Sequence, residues 1–284
     1  MNFQDCCFSV AEGTLKACWV LTNSCNLHCY YCASEAEYTT AGILSVGKSV
    51  CRRAVEACYK AGIDKIVLSG GEPLIVRNLT EIVGHLNRNG FGVSVSTNAT
   101  LLSAKLLGDL RMAGLAKLVI GVDASRVVGA PTEPDTKYAA QIARILQIIQ
   151  KSNTPYELNI VLLPSIELAI DELADWLRDF QPVSVNLIEP QACGRLAMSN
   201  ANISLDWDQC RIEQIATNLT ALIEPLTAVI VSPRCQESDC PSERLIFGIT
   251  PDGSLDKCPW KRHLNVVSPK QYAPSLNRAA ISSV

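Results

Sequence analysis

From residue 17 to about 190, short runs of apolar and β-branched residues alternate with stretches of helical period. The runs are ACWVLT (17–22), KIVLS (65–69), GVSVS (92–96), KLVIGV (117–122), ELNIVLL (157–163) and VSVNLI (183–188), and each reads as a strand. Between them, Val46, Val50, Ala54, Val55 and Cys58 share one helical face, Ile82, Val83 and Leu86 a second, and Ile142, Ile145, Leu146 and Ile149 a third. Six strand-helix units whose strands are apolar along most of their length predict a parallel sheet covered by helices. Six is two short of an eight-fold barrel, so a partial barrel and a doubly wound sheet both satisfy the pattern. In either, the chemistry gathers at the C-terminal ends of the strands.

The rhythm stops after LIEPQACGR. A helix is expected from about Asp206 to Glu224, then a hairpin formed by RLIFGIT and SLDKC and closed by Pro251, Asp252 and Gly253. This divides the chain into a core at 1–190 and a smaller module with a non-periodic tail at 191–284.

The chain has 284 residues, 48% hydrophobic and 19% charged, with a net charge of −3. That length buries a sizeable core. It carries no run of lysine or arginine to attract nucleic acid or anionic lipid, no apolar stretch of membrane-spanning length, and no signal-peptide layout in MNFQDCCFSVAEG. A cytoplasmic protein is expected, with neither nucleic acid nor membrane as partner.

Thirteen cysteines change the picture, because a reducing compartment disfavours a disulfide framework and leaves metal or sulfur chemistry. Cys25, Cys29 and Cys32 form a C-x3-C-x2-C group in the loop after the first strand. A structural zinc site is closed by four ligands, and an iron-sulfur cube also takes four. Three thiolates from the chain would leave one iron open to an outside molecule. After the second strand comes SGGEP (69–73), where Gly70 and Gly71 permit close backbone approach, Glu72 offers a carboxylate to an ammonium group, and Pro73 stiffens the turn.

With Tyr31 before the last cysteine, the loop resembles that of the radical S-adenosylmethionine (SAM) enzymes, and SGGEP matches the stretch that binds the methionine amino group there. The resemblance covers residues 17–190. It implies an α/β fold with a partial (β/α)6 barrel, a 4Fe-4S cluster on Cys25, Cys29 and Cys32, and SAM chelating the open iron. Reductive cleavage would then give a 5′-deoxyadenosyl radical that takes hydrogen from an unactivated carbon. The same resemblance places Ser96, Thr97 and Asn98 at ribose hydroxyls and nearby polar groups, with Ala99 where relatives often have glycine. Asp123 corresponds to a common family aspartate; a capping or turn role fits it equally. Arg126 is off the spacing of a family arginine and takes no role.

Cys240 and Cys258 enclose a C-x12-G-x4-C pattern with Gly253 at the hairpin turn. It resembles the twitch or SPASM appendage, without the further cysteines of a full SPASM module, and implies an auxiliary 4Fe-4S cluster on Cys235, Cys240 and Cys258. Cys193 is the candidate fourth ligand, or else a free thiol or a hydrogen-atom donor facing the substrate; an open auxiliary iron is the third option. Cys51, Cys58 and Cys210 are expected in the core. Cys6 and Cys7 have no partner spacing, His28 occupies a variable position of the cluster loop, and His85 and His263 read as surface or core residues.

By class frequency the resemblance implies peptide maturation, such as crosslinking or epimerisation. A small-molecule dehydrogenase or epimerase of the aminosugar type is the alternative, and a non-catalytic iron-sulfur or zinc scaffold is the alternative of another kind. Expected partners are a peptide or small-molecule substrate and an electron donor such as flavodoxin or ferredoxin. Only 24 residues precede Cys25, too few for a leader-binding domain, so leader recognition would fall to a separate protein or be absent.

Overall fold

The computed structural model describes residues 15–33, 36–39, 45–129, 134–190, 195, 209–223, 227–232 and 246–256. All six expected strands are present: β1 (Lys16–Thr22), β4 (Lys65–Gly70), β5 (Gly92–Thr97), β6 (Leu115–Val122), β7 (Tyr156–Val161) and β8 (Ser184–Ile188). They pair in parallel in chain order. The tiny β2 (Ser24–Cys25) and β3 (Glu37–Tyr38) form a separate parallel pair that brackets the cysteine loop. The architecture is the expected α/β fold with a parallel sheet.

Two additions widen this sheet to nine strands. β9 (Ala228–Ser232), absent from the sequence reading, runs parallel to β8 on one edge. On the other edge β10 (Ile246–Ile249) runs parallel to β1 and antiparallel to β11 (Leu255–Asp256). The expected hairpin is therefore present, with Gly253 at φ +83° in its turn, and it also extends the main sheet. Trp19, fully buried in β1, donates its indole N–H to the Thr250 carbonyl at 3.1 Å and ties the two segments together.

The helices are α1 (Lys48–Lys60), α2 (Leu79–Arg88), α3 (Ala104–Met112), α4 (Ala124–Val128), α5 (Thr136–Lys151), α6 (Pro164–Glu167), α7 (Ile170–Phe180) and α8 (Gln209–Ile223). The predicted apolar faces pack inward: Cys51, Ala54, Val55 and Cys58 of α1, Ile82, Val83 and Leu86 of α2, and Ile142, Ile145, Leu146 and Ile149 of α5 join one core. Burial pushes the Cys58 thiol up to about 12, so it behaves as a small apolar residue. Cys210 corrects the sequence reading, being exposed on α8. Ile212, Ile215, Leu219 and Ile223 set that helix's buried stripe, and a residue two positions before Ile212 falls on the opposite side.

Candidate active site

At the end of β1 the register against β4 shifts between Val20 and Thr22, and the chain turns into the cysteine loop. Two backbone bonds close the base of that loop: Glu37 N–H to the Asn23 carbonyl and Thr39 N–H to the Cys25 carbonyl, both 2.8 Å. Inside it, Cys32 N–H donates to the Cys29 carbonyl at 3.2 Å and Leu27 N–H to Cys25 Sγ at 3.4 Å. Burial pushes the thiols of Cys25 and Cys29 up, and the mutual repulsion of Cys25, Cys29 and Cys32 adds to it. Tyr31, its phenol raised by burial, stands edge-on to Tyr30 at 5.1 Å, and its hydroxyl favours the Cys29 thiolate. His28 is exposed.

The two glycines are held against this loop. Gly70 has φ +131°, and a Cβ there would lie 2.3 Å from the Thr22 carbonyl oxygen; at Gly71 it would lie 2.1 Å from that of Ser24. Gly71 N–H donates to Thr22 O at 2.7 Å and Glu72 N–H to Ser24 O at 2.9 Å. The close approach read from the sequence is thus made first to the chain's own backbone, the segment leading into Cys25. Pro73 opens a short 3-10 turn at Pro73–Ile75.

Glu72 differs from its expected part. It is fully buried, and its carboxylate accepts Thr97 Oγ1 at 2.6 Å, Leu74 N–H at 2.8 Å and Asn98 N–H at 2.8 Å. Burial raises its pKa while those bonds favour the ionised form. Its side chain is a bracket joining the ends of β4 and β5. Three of its acceptor sites are thereby taken by the protein.

The Ser96–Asn98 triplet divides its labour. Ser96 is half-buried and alternates with Val95 and Thr97, which face the helices. Thr97 is buried and committed to Glu72 and to Ala99 N–H, the latter at 2.9 Å. The Asn98 amide donates to Asn26 Oδ1 at 3.0 Å, lies 3.8 Å from Cys25 Sγ, and accepts from Thr100 Oγ1 at 2.6 Å. Asn26 in turn reaches Thr100 at 2.9 Å. Ala99 sits at φ +57°, a left-handed conformation that explains why glycine suits this position.

Asp123 stands at the N-terminal boundary of α4 without capping it; it accepts the Ser125 hydroxyl at 2.6 Å, and its N–H donates to the Tyr138 hydroxyl at 3.0 Å. It is near enough to the loop to raise Cys29 and Tyr31 electrostatically. Arg126 pairs with Asp135 at 2.6 Å and lies 4.1 Å over the Tyr138 ring.

One contributor had no sequence signal. Arg195, beyond β8, donates Nε to the Cys29 carbonyl at 2.8 Å and Nη1 to the Ala36 carbonyl at 2.7 Å, and its backbone N–H reaches the Cys32 carbonyl at 3.2 Å. Contacts spanning 166 and 159 residues leave no local pattern to read.

Cys25, Cys29, Cys32, Tyr31, Gly70–Pro73, Ser96, Asn98 and Asp123 thus meet at one end of the sheet. Among the described residues no three His, Cys, Asp or Glu side chains could hold one metal ion. A cube takes one thiolate per iron, and Cys25, Cys29 and Cys32 on this one loop are the residues that would hold it. Cys6, Cys7, Cys193, Cys235, Cys240, Cys258 and His263 lie outside the described residues.

Comparison with known proteins bears on this arrangement. The model of the radical SAM superfamily matches residues 19–177. The chain belongs to the radical SAM superfamily. Membership implies a 4Fe-4S cluster and SAM at the site just described. A probable GTP 3′,8-cyclase of Methanopyrus kandleri is 32% identical over 177 residues, covering 60% of this chain and 55% of the relative. Another from Methanosarcina mazei is 35% identical over 181 residues, covering 60% and 52%. The chain therefore spans about half the length of these relatives. In fold, it resembles Streptococcus suis SuiB bound to the precursor peptide SuiA, with a TM-score of 0.67 and 12% identity over 91% of this radical SAM chain and 62% of SuiB. No helix among the described residues is long and apolar enough to cross a membrane.

Proposed function

We propose that this radical SAM protein abstracts hydrogen from a peptide C–H bond, in a maturation step such as crosslinking or epimerisation. Cys25, Cys29 and Cys32 would hold the cluster, which with SAM bound and one electron from a flavodoxin- or ferredoxin-type donor would supply reductive sulfonium cleavage and hence the hydrogen-abstracting chemistry. The chain's own residues do the rest. Cys25, Cys29 and Cys32 supply the thiolates, the Gly70–Gly71 backbone receives the methionine end, Ser96 and Asn98 line the nucleoside side, and Tyr31 and Asp123 border the loop.

The peptide reading is supported by the face of the sheet turned away from the helices. Gly121 is exposed in mid-strand and pairs in register with Asn159, which pairs with Asn186. Asn186 donates its amide to Asn159 at 2.8 Å, and nearby Lys117 is ion-paired with Glu157. Neutral amides match peptide N–H and C=O groups, and Asn159 is the half-buried member of this pair. Among the described residues, Lys117, Arg126 and Arg195, whose charges could serve a triphosphate, are paired with protein groups. The second reading, nucleotide cyclisation, is favoured by the identity to probable GTP 3′,8-cyclases; an aminosugar-type oxidation or epimerisation has no observation of its own.

A second 4Fe-4S cluster on Cys235, Cys240 and Cys258, with Cys193 as candidate fourth ligand or hydrogen donor, completes the proposal, as does the 191–284 module that would carry it.

The test is anaerobic reconstitution with dithionite and SAM. 5′-Deoxyadenosine should form, Cys29→Ala should abolish it, and iron should approach about eight per chain. Mass spectrometry in deuterated solvent then separates substrates. A one-unit gain or a two-unit loss on a peptide encoded beside the gene supports the proposal. Turnover of GTP without peptide change moves the assignment to the cyclase.

A further inference from the structure

We propose that Arg195 is a positioning residue for the first cluster: it clasps the three-cysteine loop in its binding shape before any iron arrives, and it sets a positive charge beside the cluster. The inference rests on the reading that Cys25, Cys29 and Cys32 hold that cluster. It concerns a residue outside the motif, on the connection that leaves the last central strand.

The geometry is a fork. Nε and Nη1 of one planar guanidinium reach the carbonyls of Cys29 at 2.8 Å and Ala36 at 2.7 Å, which flank the third cysteine on either side. The Arg195 backbone N–H takes the Cys32 carbonyl itself at 3.2 Å. The Cys29 carbonyl already accepts Cys32 N–H, so the arginine reinforces the one backbone bond that fixes Cys29 relative to Cys32. Hydrogen bonds from a charged donor are stronger than neutral ones, and a rigid fork fixes two acceptors where an ammonium would fix one. The guanidinium donates to carbonyls, which leave its charge in place. A half-buried cation next to a cluster favours the reduced, more negative form and so raises its potential.

Three variants separate geometry from charge. In metal-free protein, Arg195→Met should speed hydrogen exchange at the amides of Cys32, Glu37 and Thr39 by about tenfold, with exchange in β4 to β8 unchanged. Arg195→Lys keeps the charge without the fork, so its exchange should also rise while its cluster potential stays near wild type. Arg195→Gln keeps donors without charge; its potential, like that of Arg195→Met, should move negative, read by redox titration of the EPR signal that responds to added SAM. Unchanged loop exchange in Arg195→Met, or a rise spread evenly over the sheet, overturns the clasp. A potential unmoved in both uncharged variants overturns the electrostatic part. Wild-type protein that binds iron yet leaves SAM intact would instead remove the proposed function and leave the exchange result standing.

Discussion

Val93, Val95 and Thr97 on the helix side of β5 are buried, while Gly92, Ser94 and Ser96 on the other side are only half-buried. The same split runs through β7, where Tyr156, Leu158 and Ile160 join the core and Glu157, Asn159 and Val161 are only half-buried, Val161 packing against the core from its edge. The helix side is a continuous apolar layer. The other side carries an ion pair, an amide pair, serines and an exposed glycine. The difference teaches where the work is divided: one face supplies the free energy of folding, and the other carries most of the sheet's polar side chains beneath the loops of the candidate site. Buried apolar area decides the first, and unfilled hydrogen-bonding capacity decides the second.

Substitutions on the two faces should separate the two roles. The largest effect is expected from the helix side, where Trp19→Ala removes a fully buried indole and its bond to Thr250 and should cost about 3–5 kcal/mol in chemical denaturation. SAM cleavage should fall with the fold. Next, Gly71→Ala drives a Cβ to within 2.1 Å of the Ser24 carbonyl, so the cysteine loop must shift. Cleavage of SAM is expected to drop on the order of a hundredfold while the sheet keeps its melting transition, and a full-rate variant would show that the loop tolerates displacement.

On the face turned away from the helices, Lys117→Met leaves Glu157 without its cation and should cost about 1–2 kcal/mol. Adding Glu157→Leu should recover most of that loss, a coupling that a double-mutant cycle measures. The smallest effect is Ala99→Gly, which relieves φ +57° at the loss of one buried methyl; stability should lie between unchanged and about 1 kcal/mol higher. A clear loss there would mean that the methyl contact outweighs the backbone strain.

The central strands were legible because each is a short apolar run, and the helices because their apolar residues recur on one face. What the runs concealed was their second face. KLVIGV contains Gly121 and ELNIVLL contains Asn159, small departures that acquire meaning only when the register sets Gly121 beside Asn159 and Asn159 beside Asn186. The site was legible where spacing along the chain matters, as for Cys25, Cys29 and Cys32. It was incomplete at Glu72, because sequence shows a carboxylate after two glycines and cannot show that Thr97, Leu74 and Asn98 already donate to it. β9 was missed because AVIVS becomes a strand by pairing with β8 across a long connection. Arg195 was missed for the same reason, its partners being carbonyls that any residue type would offer.

The bond from the Trp19 indole to Thr250, together with the pairing of β1 and β10, has a consequence for how the molecule is made. As the polypeptide leaves the ribosome, β1 can find β4 early, but its other edge waits until residues 246–249 have been translated. Until then the nascent sheet carries an unprotected border at β1, and the arrival of β10 seals it.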